Sequence, residues 1–192
     1  ILDIPEGKVI QKNYVGKDMK NYDGMIVLSH FKGHPMGGYG GALKQLSIGC
    51  ASSYGKAYIH GAGEPEKIWT ADHDLFLESM ADAAKSVHEY FKGNIVYINV
   101  MKNMSVDCDC CAVAEDPCMD DIGILISTDP IAIDQACIDL VYASNDKGRD
   151  HLHKIFTISF SNDQHLATVK TKDKQDNSQI QIRINSIYGV YH

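Results

Sequence analysis

Two short segments of the chain concentrate the side chains that can hold a metal ion or move a proton. Residues 30–34 read His-Phe-Lys-Gly-His, and residues 107–111 read Asp-Cys-Asp-Cys-Cys. Thiolates and imidazoles are strong ligands for zinc, iron and related metals. We therefore predict one polar site, built from both segments, that binds a metal or carries out acid–base chemistry.

The candidate metal ligands are the histidines and cysteines in and near these segments. Their spacing matches neither the paired C-x-x-C of a zinc ribbon nor the cysteine run of a bacterial ferredoxin. The prediction therefore rests on the density of cysteines, set against the alternative of a surface loop with incidental thiols. The predicted ligands are His30, His34, Cys50, Cys108, Cys110, Cys111 and Cys118.

A glycine-rich stretch at residues 37–41 follows the first segment. The backbone N–H groups of such a turn can approach an anion closely, and neighbouring lysines add positive charge. The stretch lacks the Gly-Lys-Ser/Thr ending of a nucleotide-binding Walker loop. The predicted anion-binding residues are Gly37, Gly38, Gly40, Gly41 and Lys44, and the candidate catalytic residues are His30, Lys32 and His34.

The elements around these segments alternate between strands and helices. Apolar runs predict strands, and three- and four-residue apolar spacing predicts helices. An Asp-Pro pair at residues 129–130 is typical of a helix start. The predicted strands are residues 24–29, 94–101 and 122–127, and the predicted helices are residues 42–49, 72–92 and 131–143.

This alternation predicts a layered α/β/α-type domain with a mixed, mainly parallel sheet and a β-rich or irregular C-terminal end. Both chemistry-bearing segments follow the ends of predicted strands, where open α/β sheets bind their ligands. We assign residues 1–154 to this domain. Residues 155–192 form a divergent extension packed on it, with predicted strands at residues 155–160, 166–171 and 180–184.

Composition excludes several classes of partner. The formal charge of −7, from 18 Lys+Arg against 25 Asp+Glu, argues against nucleic acid as the main partner. No apolar run approaches the roughly 20 residues of a membrane span, and residues 1–5 lack the basic start of a signal peptide. We expect a cytoplasmic protein whose partner is a small anionic ligand or a redox protein.

Six motifs in one order resemble the family catalogued as domain of unknown function 362, whose members are commonly labelled uncharacterised iron–sulphur-centre proteins. They are residues 28–34, 37–46, 49–52, 107–110, 121–125 and 127–137, and the resemblance covers about residues 20–154. It implies an α/β domain and an iron–sulphur or redox association, but no reaction.

The chain departs from that family pattern in three ways. Many relatives carry a C-x-x-C-x-x-C insertion after the region of residues 49–52, whereas residues 54–88 of this chain contain no cysteine. Relatives also have a longer N-terminal portion, and the chain after Lys154 does not resemble the usual ending. The implied iron–sulphur cluster therefore lacks the motif that would hold it in relatives.

Three hypotheses follow for the function. The first is a redox protein that holds an iron–sulphur cluster, or a zinc or iron ion, in the Cys/His-rich site. The second is a metal-free enzyme that acts on a small anionic substrate with a cysteine nucleophile and a histidine base. The third is a non-enzymatic binding or assembly module in which the cysteine-rich loop only orders a surface.

Overall fold

The computed structural model describes residues 1–158, and the structural statements below concern those residues. The strands are β1 (Leu2–Asp3), β2 (Lys12–Asn13), β3 (Met25–His30), β4 (Lys32–His34), β5 (Gly38–Gly40), β6 (Ile95–Met101) and β7 (Gly123–Ser127). The α-helices are α1 (Ala42–Lys44), α2 (Ser53–His60), α3 (His73–Tyr90), α4 (Pro130–Ala143) and α5 (Arg149–Ile158). A π-helical turn, Gln45–Gly49, continues α1, and 3₁₀ turns cover Lys17–Asn21 and Pro65–Lys67.

A three-stranded sheet in the order β3-β6-β7 forms the centre of the described domain. The β3 and β6 strands are parallel, whereas β6 and β7 are antiparallel. The predicted α/β class and the mixed sheet are confirmed, but parallel pairs do not dominate in the described part of the chain. The reason is local: β7 follows β6 through a loop, and a parallel return would need a crossover helix.

Helices α1, α3 and α4 pack on one face of this sheet, against Val27, Ile95 and Tyr97. The opposite face is apolar and exposed: Ile26, Leu28, Ile124 and Ile126 are 71%, 62%, 64% and 69% accessible. Residues 1–158 thus form one of the two predicted helix layers. The strands carry apolar side chains on both faces, which is the pattern that predicts cover on both sides.

Two helices begin at aspartate caps, as the sequence indicates. The Asp72 carboxylate accepts hydrogen bonds from two amides at the start of α3, and the Asp129 carboxylate does the same for α4. These bonds satisfy N–H groups that have no partner inside the helix. The predicted helices at residues 72–92 and 131–143 are therefore confirmed. Among the helices of residues 1–158, none combines the length and apolarity of a membrane span.

The strand predicted at residues 155–160 is wrong where the structure describes it, because α5 extends to Ile158. Leu152 and Phe156 lie four residues apart and are both buried, so they share one helix face. That face packs against Phe31 and Tyr39. The strands predicted at residues 166–171 and 180–184, like the extension beyond residue 158, lie outside the described residues.

The glycine-rich stretch is a strand of a hairpin rather than a free loop. Strands β4 and β5 pair antiparallel, with Lys32 opposite Gly40 and His34 opposite Gly38. The Phe31 and Tyr39 rings stack with their centroids 5.7 Å apart, which anchors the hairpin on the core beside α5. The hairpin thereby holds the first chemistry-bearing segment on a rigid element.

Candidate metal centre

The two chemistry-bearing segments meet because β3 and β6 are parallel neighbours that end at the same edge of the sheet. The β4–β5 hairpin follows β3, and the loop of residues 102–122 follows β6. The Gly33 N–H donates to the Ser105 carbonyl at 2.8 Å. A Cβ on Gly33 would lie 2.4 Å from the Val106 carbonyl oxygen, so only glycine permits this close approach of the loop.

His34, Cys108 and Cys110 bring three potential ligand atoms together at this junction, and we call them the site cluster. One ring nitrogen and the two Sγ atoms all lie within 4.8 Å of one another. Cys108 is buried, whereas Cys110 is exposed. The Cys110 N–H donates to the Cys108 Sγ at 3.3 Å, which fixes the turn between the two cysteines. One imidazole and two thiols form a donor set suited to zinc or iron.

The His34 imidazole is held in its neutral form. Burial, and after it the positive charge of Lys44, lower its pKa to about 3. Its Nδ1 accepts hydrogen bonds from the amides of Met36 and Gly37, at 3.2 and 2.8 Å. These contacts orient the ring and leave the proton of the metal-free imidazole on Nε2. The neutral ring is the form that metals bind.

The Cys110 thiol is kept protonated in the metal-free site. Burial and the contact with Cys108 together raise the pKa of Cys110 to about 11, against the opposing effect of Lys44. The Lys44 ammonium lies 3.8 Å from the Cys108 Sγ. A metal ion would favour the thiolates, because thiolate is the form of cysteine that coordinates metals.

Asp109, between the two cysteines, ties their loop to the end of β3. It accepts a hydrogen bond from the Lys32 ammonium at 2.6 Å, and both its oxygens lie 3.0 Å from the His30 Nδ1. Burial disfavours the charged carboxylate, but the bonds from Lys32 and His30 prevail and lower the pKa of Asp109. The carboxylate thus positions Cys108 and Cys110 from the residue that separates them.

Four of the predicted metal ligands lie outside the site cluster. The two ring nitrogens of His30 contact Asp109 and the Lys102 carbonyl. Cys50 follows the π-helical turn and packs, partly buried, against the core that contains Val27 and Leu46. The Cys118 thiol donates to the Met104 carbonyl at 3.4 Å. The fourth is Cys111, which is half-buried and whose amide donates to the Cys108 carbonyl.

The helix start predicted to bind an external anion holds a carboxylate of the chain itself. The Ala42 and Leu43 amides donate to the two oxygens of Asp134, at 2.7 and 2.9 Å. A Cβ on Gly41 would lie 2.4 Å from the nearer Asp134 oxygen, so glycine makes room for this contact. Of the other predicted anion-binding residues, Gly37 donates to His34, Gly38 and Gly40 belong to β5, and Lys44 reaches the site cluster.

Asp134 belongs to a buried group that the sequence analysis missed. The Asn99 side-chain amide donates to Asp134 at 2.7 Å and to the Cys137 Sγ at 3.4 Å, and we call these three residues the inner cluster. Burial raises the pKa of Asp134 to about 6, against the opposing effect of its hydrogen bonds. A carboxylate among the buried residues of α4, beside Ile133 and Cys137, is the sequence signal that identifies it.

Asp109 was also missed, although it stands inside the cysteine-rich segment. Its signal is its place between Cys108 and Cys110, where a carboxylate can position both thiols through one contact. The sequence shows that Asp109 lies beside the two cysteines. It does not show that Asp109 pairs with Lys32, because Lys32 lies 77 residues away.

Comparison with known proteins places the chain in a family. A family model described as domain of unknown function (DUF362) matches residues 1–139, which include β3, the hairpin and the whole site cluster. No curated protein and no solved structure matches the chain. Since the family model covers more than half of the sequence, the chain belongs to the domain of unknown function 362 family.

Proposed function

We propose that this protein binds a single zinc or iron ion through His34, Cys108 and Cys110. The observation that carries the proposal is the convergence of their ligand atoms within 4.8 Å at the junction of the hairpin and the loop. Two thiolates balance the charge of a divalent cation, and a neutral imidazole adds a third ligand without adding charge. The polypeptide therefore offers a compact, charge-matched donor set.

Three protein ligands leave one position of a tetrahedral ion for another ligand. Structural zinc sites use four protein ligands, whereas catalytic sites use three and keep the fourth position open. Cys110 is exposed, so solvent reaches this side of the site cluster. A bound ion would supply Lewis acidity at that position or, in the case of iron, a one-electron couple.

An iron–sulphur cluster fits the described residues less well than a single ion. Such clusters are normally held by four cysteine thiolates, or by two cysteines and two histidines in Rieske centres. The site cluster contains two thiols and one imidazole. Cys50, Cys111 and Cys118 stand apart from it, so the described chain does not assemble a cluster ligand set. We therefore base no chemistry on a cluster.

A metal-free thiol enzyme is also a weaker interpretation of the same atoms. A histidine base should have a pKa near the working pH, but the pKa of His34 is lowered to about 3. A cysteine nucleophile should be accessible and ionised, yet Cys108 is buried and the pKa of Cys110 is raised to about 11. Both shifts oppose proton transfer from thiol to imidazole.

Metal binding requires one change at His34. Its Nδ1 lone pair already accepts the Met36 and Gly37 amides, and its Nε2 carries the proton. A metal therefore either takes the place of the hydrogen bonds at Nδ1 or binds Nε2 after the ring proton has moved to Nδ1. In both cases the ring stays neutral, so the protons released on binding come from the two thiols.

The proposal is tested by titrating the reduced, metal-free protein with zinc and with ferrous iron under anaerobic conditions. We expect one equivalent of metal to bind. Cys108→Ser, Cys110→Ser and His34→Ala should each weaken binding by at least about 100-fold, because each removes one of three ligands. Cys111→Ser and Cys118→Ser are the matched controls, since these thiols lie outside the site cluster.

The controls make the outcome decisive. Controls that bind metal as the unchanged protein does, beside ligand variants that do not, would support the assignment. Equal zinc affinity in Cys108→Ser and Cys111→Ser would contradict it, as would the absence of tight binding of either metal by the unchanged protein. Circular dichroism of each variant verifies that the fold is retained.

A further inference from the structure

Two lysines, Lys32 of β4 and Lys44 of α1, converge beside the site cluster, although they come from different elements. A Cβ on Gly40 would lie 3.7 Å from the Lys32 ammonium and 3.7 Å from the Lys44 Cδ. Because glycine has no side chain, Gly40 leaves room for both lysine stems beside the hairpin. Lys32 is buried and Lys44 is half-buried, so their charges lie in a partly desolvated environment.

The lysines differ in how their charges are balanced. The Lys32 ammonium pairs with Asp109 at 2.6 Å. Within residues 1–158, Lys44 makes no ion pair with a carboxylate, and its hydrogen-bond partner is the Cys108 thiol at 3.8 Å. Partly buried charges are normally paired, so an ammonium beside a thiol is a place where a further anion is stabilised.

A charge count of the metal-loaded site leads to the same conclusion. A divalent ion and two thiolates cancel, His34 is neutral, and Lys32 cancels Asp109. Lys44 then leaves the immediate surroundings of the ion with a net charge of about +1. A single negative charge placed between the ion and the ammonium would neutralise the site.

We propose that the open position of the ion binds a small monocarboxylate, one oxygen of which contacts the metal while the other accepts a hydrogen bond from Lys44. This inference rests on the proposed metal site, and it adds a substrate class to that site. A carboxylate suits two donors on one side of a cluster because its two oxygens are held in a fixed, planar arrangement. Lys44 then serves as a binding residue rather than as a proton donor.

The test uses the full chain loaded with cobalt(II), whose visible bands report the coordination of the ion. A sulphur-to-cobalt charge-transfer band should appear first, and its absence would overturn both the metal site and this inference. Acetate is then the probe, and we expect it to shift the ligand-field bands in a saturable manner. A cobalt protein whose bands acetate does not shift would overturn the carboxylate inference while leaving the metal site intact.

The matched variants separate Lys44 from general positive charge. Lys44→Gln should weaken acetate binding by about tenfold or more, while its sulphur-to-cobalt band remains. Lys20→Gln removes the same charge from an exposed position and should leave acetate affinity unchanged. Equal acetate affinity in both variants would overturn the role of Lys44, and a response to inorganic phosphate but not to acetate would overturn the ligand class.

Discussion

The inner cluster and the site cluster lie on neighbouring elements, but they differ in the partners that their polar atoms have within the chain. In the inner cluster, both oxygens of the buried Asp134 accept hydrogen bonds from amides of the chain itself. In the site cluster, two thiols and an imidazole bring three potential ligand atoms within 4.8 Å of one another. The Asp134 carboxylate is thus satisfied by the chain itself, although the buried Asn99 Oδ1 beside it has no hydrogen-bond partner within residues 1–158. The site cluster is instead suited to an added cation.

This difference distinguishes polar groups that hold elements of the fold together from polar groups that can bind a ligand. Asp134 joins α4 to the start of α1, and the amide of Asn99 adds the central strand β6 to the same carboxylate. A buried group with all its bonds inside the chain contributes to the unique packing of a domain. A cluster of ligand atoms near the surface can instead bind a cation, and its loss should leave packing largely intact.

The largest expected effect is on stability at the inner cluster. Asp134→Ala leaves three buried donors without an acceptor, so the free energy of unfolding should fall by about 3–5 kcal/mol. The exposed Cys110→Ser should change it by less than about 0.5 kcal/mol in the metal-free protein. Chemical denaturation measures both.

Zinc affinity is the second measurement in this comparison. Cys110→Ser should abolish tight binding without loss of stability. The contrast between the clusters would be refuted if Asp134→Ala cost less than about 1 kcal/mol, or if Cys110→Ser unfolded the metal-free protein.

The second prediction concerns the protons that leave the site cluster. Two thiols must lose their protons to bind a metal, whereas His34, with its pKa lowered to about 3, has no imidazolium proton to lose above pH 5. Zinc affinity should therefore rise about 100-fold per pH unit between pH 6 and pH 8, with about two protons released.

Calorimetry in buffers of different ionisation enthalpy counts these protons. A count near two is expected whichever ring nitrogen of His34 binds the metal, because the neutral ring keeps its proton. Release of less than one proton would show that the thiols do not become thiolates, and would contradict the site. The Cys111→Ser control should release the same number as the unchanged protein.

The third prediction is a pH dependence of stability that belongs to the inner cluster. The pKa of Asp134 in the folded protein is raised to about 6, above the value near 3.9 expected in the unfolded chain. The fold therefore favours the protonated carboxyl. Its stabilisation is fully present below about pH 4 and is lost as the pH rises through 6, by about 2–3 kcal/mol.

Denaturation at several pH values tests this dependence. Asp134→Asn should remove that part of the slope between pH 4 and pH 6, whereas the exposed Asp3→Asn should retain it. If Asp134→Asn kept the slope of the unchanged protein, the carboxyl would not titrate in this range and the assignment would be wrong.

The smallest expected effect concerns the support of the site cluster by Asp109. Asp109→Asn keeps the shape of the side chain but weakens its contacts with Lys32 and His30. Outer-shell partners of metal ligands typically affect affinity by about 10- to 100-fold, so zinc affinity should fall by that factor at the lower end. Since Asp109 is exposed, thermal stability should barely change.

Asp116→Asn provides the matched control, because it removes the same charge from an exposed position of the same loop. Unchanged zinc affinity in Asp109→Asn would show that the loop holds Cys108 and Cys110 in place without this carboxylate.

The sequence predicted the elements well where apolar periodicity was strong. The main strands and the helices α3 and α4 follow from it, because each buries one regular face. Helix α5 was missed, because its short apolar face, Leu152 and Phe156, acquires meaning only beside Phe31 and Tyr39. Strand β7 was predicted at residues 122–127, but its antiparallel direction was not, because a loop of any composition can return a strand.

The candidate site was predicted in outline but not in its selection of ligands. Both segments were identified from residue type, yet His30 and His34 are equivalent by that criterion. They differ only after the chain bends into the hairpin, which directs His34 to the cysteines and His30 to Asp109. The bond between Asp134 and Leu43 joins residues 91 positions apart, which no local pattern can show.

The most direct test of the central claim is X-ray absorption spectroscopy at the metal edge of the zinc-loaded protein. The account predicts two sulphur ligands at about 2.3 Å, one imidazole nitrogen at about 2.0–2.1 Å and one further light atom. The Cys108→Ser and Cys110→Ser variants should each lose one sulphur, and Cys111→Ser should keep both. A shell of four sulphurs, or a shell without sulphur, would contradict the assignment of His34, Cys108 and Cys110 as the metal ligands.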